Sequence, residues 1–164
     1  MWVYDNGDTL RVITDTIING MTAEKLVKTN RASVEISYYA NQPTGLYLLG
    51  TNARPYSLEN PYGGFGTEAL TIFSTPMLLV KYPVIFNDEW STNEPGAPYS
   101  RRSWVSFVSI TNSIGTFNCA KLNSVDGHAI EYYSDKGLIR AINQPECFTT
   151  PCPPIVTNLI YVNF

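Results

Sequence analysis

The sequence predicts a mainly β protein, an antiparallel meander that forms a curved sheet, a half-barrel or a barrel, with little helix. Short segments of alternating apolar and polar residues recur at spacings of roughly 8–12 residues. Turn pairs such as Asn19-Gly20 and Asp126-Gly127 separate them, and both residues of such a pair can adopt the positive φ of a type I′ hairpin turn. Residues that favour strands are also abundant, since 13% of the chain is aromatic.

The clearest β signal covers residues 113–139. Two alternating segments flank Asp126-Gly127, and a third begins after Lys136-Gly137. This pattern predicts three consecutive antiparallel strands joined by tight turns.

Strands are also predicted on both sides of this meander. The turn Asp5-Asn6-Gly7-Asp8 leads into a strand at 9–16, and Asn19-Gly20 joins residues 13–18 to 22–28 as a hairpin. Residues 22–28 lack an apolar stripe of helical length, so a strand is favoured over two helical turns. Further strands are predicted at 33–40, 46–49, 69–73, 77–82, 103–111 and 155–162. Gly, Pro and polar residues predict long loops at 51–67 and 87–100.

Length and composition limit the classes of protein that this chain can be. Its 164 residues suit one β domain spanning 1–164. Only 15% of residues are charged and the net charge is −3, a composition typical of an exported protein. Nucleic-acid binding is not expected, because the one adjacent basic pair, Arg101-Arg102, is interpreted as a solvated loop edge. A membrane-spanning helix needs about 20 apolar residues, and no apolar run in this sequence is nearly that long.

Three cysteines bear on the compartment. Cys147 and Cys152 lie in a proline-rich loop, and a disulfide between them would favour an oxidising environment. Cys119 lies in a predicted strand, where a buried, inert thiol is expected.

Catalytic and metal-binding patterns are weak. His128, the sole histidine, follows a turn and is interpreted as exposed, although the spacing leaves a Cys119–His128 dyad open. Zinc binding by these two residues with Cys147 and Cys152 would need a spacing that the chain does not have. No phosphate-binding loop or Gly-x-Ser-x-Gly motif is present, so no cofactor or metal is expected and a non-enzymatic role is favoured.

Aromatic side chains are the remaining candidates for a binding site. Inward-facing aromatic residues of a curved sheet either fill its core or line a ligand cavity, and the sequence leaves both open. The candidates are Trp90, Trp104, Phe107, Phe117, Tyr132 and Tyr133.

Several short segments resemble exported and lipid-anchored β half-barrel proteins of Gram-negative bacteria. Gly-Thr-Phe-Asn-Cys-Ala-Lys-Leu from Gly115, followed by Glu-Tyr-Tyr-Ser-Asp-Lys-Gly-Leu-Ile from Glu131, is similar to their Gly-Thr-Phe and Tyr-Tyr…Gly-Leu-Val strands. Residues 76–84 with Trp90 resemble their Leu-Lys-Phe-Pro-Leu…Gly…Trp segment, but Asn87 replaces the usual glycine and Ile114 replaces an alanine. The resemblance covers about residues 2–142; the Pro- and Cys-rich loop and closing strand of 143–164 fall outside it.

The resemblance implies a shape like that of the periplasmic lipoprotein carriers, and export to the periplasm, outer membrane or cell exterior. Met1 is then expected to replace a removed leader, and membrane attachment to depend on a lipid anchor absent from this chain. The leading hypothesis is a cell-envelope β domain with a structural or binding role, holding an apolar small molecule on its concave face or binding an envelope protein. One alternative is a protein-interaction module that uses loops 51–67 and 87–100. Another is a hydrolase that uses loop carboxylates such as Glu59 and Glu68 with Asp88 or Glu89.

Overall fold

The computed structural model describes residues 1–29, 34–53, 67–92, 101–124, 129–143 and 153–162. These residues form twelve β-strands and no helix, and the strands pair antiparallel within each of the ladders described below. The predicted fold class, a mainly β antiparallel meander with little helix, is confirmed. The strands are β1 (Trp2–Tyr4), β2 (Thr9–Ile18), β3 (Met21–Thr29), β4 (Val34–Gln42), β5 (Gly45–Ala53), β6 (Thr67–Lys81), β7 (Glu89–Ser91), β8 (Arg101–Asn112), β9 (Gly115–Ser124), β10 (Ala129–Ser134), β11 (Gly137–Asn143) and β12 (Ile155–Val162).

The strands group into two compact units. The first unit contains β2 to β6 in sequence order, so each strand pairs with the next one along the chain. The second unit contains β7 to β12 in sequence order, with β1 added beside β12. The expectation of one domain over residues 1–164 stays a prediction.

In the first unit, the hairpin between β2 and β3 has the turn that the sequence predicts. Asn19 and Gly20 both have positive φ, 52° and 77°, as a type I′ turn requires. Ala23 of this hairpin forms a fully buried cluster with Ala40 of β4 and Leu49 of β5. Small side chains on neighbouring strands let the large Leu49 side chain occupy the space between them.

One strand of the first unit is longer than predicted. The two strands expected at 69–73 and 77–82 are a single strand, β6, which contains Pro76. The register moves from Leu48↔Met77 to Gly50↔Ile72, so β6 carries extra residues at a bulge there. A bulge accommodates a proline because it already lacks regular ladder hydrogen bonds, and it bends the strand.

Parts of the two predicted loops belong to strands. Residues 51–53 end β5 and Thr67 begins β6, so the loop prediction at 51–67 is wrong at both ends. The prediction at 87–100 is wrong at Glu89–Ser91, which is β7 and pairs with Arg101–Ser103 of β8. The loops were predicted from local composition. Composition carries no information about hydrogen bonds to a strand that lies far away along the chain. Residues 54–66 and 93–100 lie outside the described residues.

The second unit contains the predicted meander as β9, β10 and β11. Its Asp126-Gly127 turn lies outside the described residues, but Asn123↔Ile130 pairing confirms the hairpin. The closing strand predicted at 155–162 is β12. It pairs with β11 on one side and β1 on the other.

Hydrogen bonds beyond the ladder attach β1 to β12. The Asp5 amide donates to the Asn158 carbonyl at 2.9 Å. In return, the Asp5 carboxylate accepts from the Asn158 amide at 2.9 Å and from Asn158 Nδ2 at 2.7 Å. Arg140 Nε donates to Asn158 Oδ1 at 2.7 Å, so the same asparagine also bonds a β11 side chain. The start of the chain is thereby fixed to its last strand.

A substitution at Gly50 tests the close approach of β5 and β6. A Cβ at this position would lie 2.6 Å from the Thr71 carbonyl oxygen and 2.7 Å from Ile72 Cδ1. Because the backbone oxygen cannot rotate away, we expect Gly50→Ala to lower the unfolding free energy by about 1–3 kcal/mol in urea denaturation. Gly20→Ala is the comparison, since nothing lies within 4 Å of its added Cβ and only the cost of its positive φ remains. An unchanged urea midpoint for Gly50→Ala would contradict the observed strand spacing.

Candidate functional site

The pairing register divides the six candidate aromatic residues between the two faces of the second unit's sheet. Directly paired residues point to the same side, and successive residues alternate. Trp104 pairs with Leu122, which pairs with Glu131, so these three side chains share a face. We call it the aromatic face. It carries Trp90, Arg102, Trp104, Phe107, Glu131 and Tyr133, whereas Phe117 and Tyr132 lie on the opposite face.

Three aromatic rings contact one another at the centre of the aromatic face. Trp90 and Trp104 have ring centroids 6.0 Å apart, and Tyr133 meets Trp104 edge-on at 6.3 Å. Trp90 is 7% exposed and Trp104 is 1% exposed. These two indoles therefore belong to the core of the unit, one of the two roles that the sequence left open.

An ion pair lies beside these rings. Arg102 Nη1 donates to Glu131 Oε2 at 3.0 Å, and the Tyr133 hydroxyl donates to the same oxygen at 2.9 Å. The interpretation of Arg101-Arg102 as a solvated loop edge is wrong, because both residues belong to β8. Arg101 is exposed, but the Arg102 side chain is only about one-fifth exposed. Residues two apart on a strand share a face, so the spacing of Arg102 and Trp104 could have indicated that Arg102 lies beside a buried tryptophan.

Exposed apolar side chains border this buried cluster. Phe86 and Phe107 meet edge-to-face at 5.2 Å and are 43% and 56% exposed, and Ile85 is 54% exposed. Phe107 reaches the aromatic face because of a bulge at Val105: Trp104 pairs with Leu122, but Ser106 pairs with Lys121. Sequence reasoning missed Ile85 and Phe86; their signal was an apolar pair at the end of the chain's most apolar stretch.

The backbone around Asn87 places Phe86 beside Trp104. Phe86 forms a single parallel bridge with Trp104, and the Asn87 amide donates to the Trp104 carbonyl at 2.8 Å. Asn87 has a φ of 62°, in the left-handed region that glycine and asparagine tolerate best. In the proteins that this chain resembles, glycine occupies the position of Asn87. Asparagine also tolerates the positive φ that this position has in the structure.

The opposite face carries the Cys119 thiol. Cys119 is fully buried, as expected from its strand, and Sγ lies 3.7 Å from the Phe117 carbonyl oxygen. Burial raises the pKa of Cys119, while the charge of Arg140 lowers it by less. Because the thiolate is the nucleophilic form, this environment disfavours nucleophilic chemistry.

Several other candidates lie wholly or partly outside the described residues. These are His128, Cys147, Cys152, Glu59 and the Glu68 side chain. The disulfide and the dyad therefore stay predictions, as does interaction through loops 51–67 and 87–100. Of the remaining loop carboxylates, Glu89 lies 3.7 Å from Arg101 in an exposed ion pair.

Within the described residues, no three His, Cys, Asp or Glu side chains are grouped so that they could hold a metal ion. The same part of the chain has no helix with the length and apolarity needed to cross a membrane.

Comparisons with known proteins supply no identity. No protein-family model matches the sequence, and neither the curated proteins nor the solved structures contain a match. The resemblance to exported half-barrel proteins therefore stays a hypothesis, and the site is assessed from its own residues.

A double-mutant cycle tests the Arg102–Glu131 pair. We expect Arg102→Met and Glu131→Gln each to destabilise the protein, because each removes the half-buried, charge-assisted hydrogen bond between the two side chains. The coupling energy between the two substitutions should be about 1–3 kcal/mol. The control cycle uses Arg101→Met and Glu89→Gln, whose side chains are 60% and 53% exposed. It should give a coupling of about 0–1 kcal/mol. Equal couplings in the two urea-denaturation cycles would contradict the burial of the Arg102–Glu131 pair.

Alkylation tests the environment of Cys119. In a Cys147→Ser, Cys152→Ser variant, Cys119 is the sole cysteine of the three. We expect iodoacetamide to modify it about 100-fold more slowly in the folded protein than in urea, because the thiol is buried and its pKa is raised. Since a raised thiol pKa favours the protonated form, the folded-state rate should begin to rise only at a higher pH than the unfolded-state rate. Similar rates and pH profiles in the two states, followed by mass spectrometry, would refute this description.

Proposed function

We propose that this protein is an exported, non-enzymatic β domain of the cell envelope that binds an apolar small molecule on the aromatic face. Support for binding comes from the exposed aromatic pair Phe86–Phe107. Support for export comes from the low charge content of 15% and from the resemblance to lipid-anchored half-barrel proteins. Attachment through a lipidated N-terminus belongs to the same proposal.

The exposed position of Phe86 and Phe107 carries the binding proposal. Two large aromatic rings at 43% and 56% exposure, with Ile85 at 54%, leave apolar surface in contact with water. Covering such a surface is favourable by about 25 cal/mol per Å² of apolar area removed from water. Exposed apolar patches with polar borders typically mark sites of ligand or partner binding.

The buried part of the aromatic face supports the same function. Trp90, Trp104 and Tyr133 hold one another in place, and the Arg102–Glu131 pair fixes the Tyr133 hydroxyl. Phe86 is joined to this packed cluster through the Trp104 backbone, and Phe107 packs against Phe86. Such packing lowers the ordering cost of binding, because fewer rotamers are lost when a ligand arrives.

A fluorescent probe tests this function. We expect the full chain to bind N-phenyl-1-naphthylamine, and Phe107→Ser to weaken binding about tenfold, because an exposed aromatic anchor is lost without a change in the core. Val156→Ser is the control: Val156 is 44% exposed but lies on the opposite face, since it pairs with Ile142 and Ile142 pairs with Ile130. Its affinity should be unchanged.

The proposal fails if the probe does not bind, or if both variants weaken binding equally. Native mass spectrometry of protein purified from the periplasm adds a second readout. A co-purified apolar molecule that is lost from Phe107→Ser but retained by Val156→Ser would agree with the proposed function.

A further inference from the structure

The indole N–H of Trp90 is buried without a partner. Among the described residues, no acceptor lies within hydrogen-bonding distance of Trp90 Nε1, and the side chain is 7% exposed. Trp2 in the same unit is different, because its Nε1 donates to the Lys136 carbonyl at 3.1 Å. Buried indole N–H groups usually find such a partner.

The unpartnered group specifies the chemistry of what would complete it. An indole nitrogen is only a donor, so its partner must be an acceptor such as a carbonyl or ether oxygen. Leaving it unpaired in a buried site is unfavourable, and a molecule that supplies the acceptor recovers this loss on binding. The nitrogen is closed to solvent in the unliganded protein, so the oxygen of a ligand reaches it only when the side chains that cover Trp90 move aside.

The location of Trp90 connects this donor to the exposed apolar surface. Trp90 contacts Trp104, and Trp104 is bridged through its backbone to Phe86, which contacts Phe107. All these rings belong to the aromatic face or border it. A molecule seated on Phe86 and Phe107 therefore lies on the same face of the sheet as the Trp90 side chain.

We propose that the ligand of the aromatic face has an apolar body and an acceptor oxygen, and that this oxygen accepts a hydrogen bond from Trp90 Nε1. The inference rests on the proposed function and specifies its ligand class as carbonyl- or ether-bearing apolar molecules. Simple hydrocarbons and haloalkanes bind the same surface more weakly.

Two probes of similar length test the acceptor. Methyl octanoate carries a carbonyl oxygen, whereas 1-chlorononane lacks a comparable acceptor; both are titrated against bound N-phenyl-1-naphthylamine. We expect the ester to displace the probe with about tenfold higher affinity, which corresponds to about 1.4 kcal/mol. A ligand that engages the indole should also move the Trp90 Nε1–H signal in a nitrogen-15 correlation spectrum, while the Trp2 signal stays in place.

An isosteric substitution isolates the N–H group. Trp90→benzothienylalanine keeps the ring shape and replaces the nitrogen with sulfur, so the ester should lose its preference over the chloroalkane. The same change should stabilise the unliganded protein, because it removes an unpaired donor. Trp2→benzothienylalanine is the matched control: it should destabilise the protein by breaking the bond to Lys136, and leave the preference intact.

The outcomes separate this inference from the proposed function. If both probes bind wild-type protein equally, the acceptor inference is overturned while apolar binding stands. If neither probe displaces the dye and the dye itself does not bind, both fail. A destabilised Trp90→benzothienylalanine variant would show that Nε1 already has a partner, and would overturn the inference even if the ester binds.

Discussion

The burial of Trp104 is the constraint on which the candidate site depends. Its side chain is 1% exposed and meets Trp90 on one side and Tyr133 on another. Its carbonyl accepts the Asn87 amide, so the same residue also holds the segment that carries Phe86. Removing a tryptophan of this size from water contributes up to about 4–6 kcal/mol. A change that displaces Trp104 would therefore disturb the site and the unit together.

The sequence predicts the strands of this protein better than the faces of its sheet. Alternation and turn pairs located the hairpin at Asn19-Gly20, the meander and the closing strand, because these signals act over a few residues. Face assignment depends on register, and a single bulge changes it. The bulge at Val105 places Phe107 on the aromatic face, and no local sequence pattern predicts this bulge.

The sequence predicted some residues of the candidate site but not how they are arranged. Aromatic residues on a predicted curved sheet were the candidates. Of these, Trp90, Trp104, Phe107 and Tyr133 share a face, whereas Phe117 and Tyr132 point the other way. Arg102 and Glu131 were missed because they lie on different strands and their pairing is a tertiary contact. The missing acceptor of Trp90 Nε1 was beyond any sequence argument, since it depends on the surroundings of one atom.

The attachment of β1 to β12 has a consequence for how the chain acquires its structure. Ribosomes make β1 long before β12, yet Trp2–Tyr4 pairs with residues of β12. The strands of the first unit pair with their neighbours along the chain and can assemble early, whereas β1 gains its β12 partner only after β12 has been made. Contacts so distant along the chain form slowly, because a long loop must close before any pairing rewards it. During that interval, β1 lacks the antiparallel partner that pairs with Trp2–Tyr4 in the folded protein.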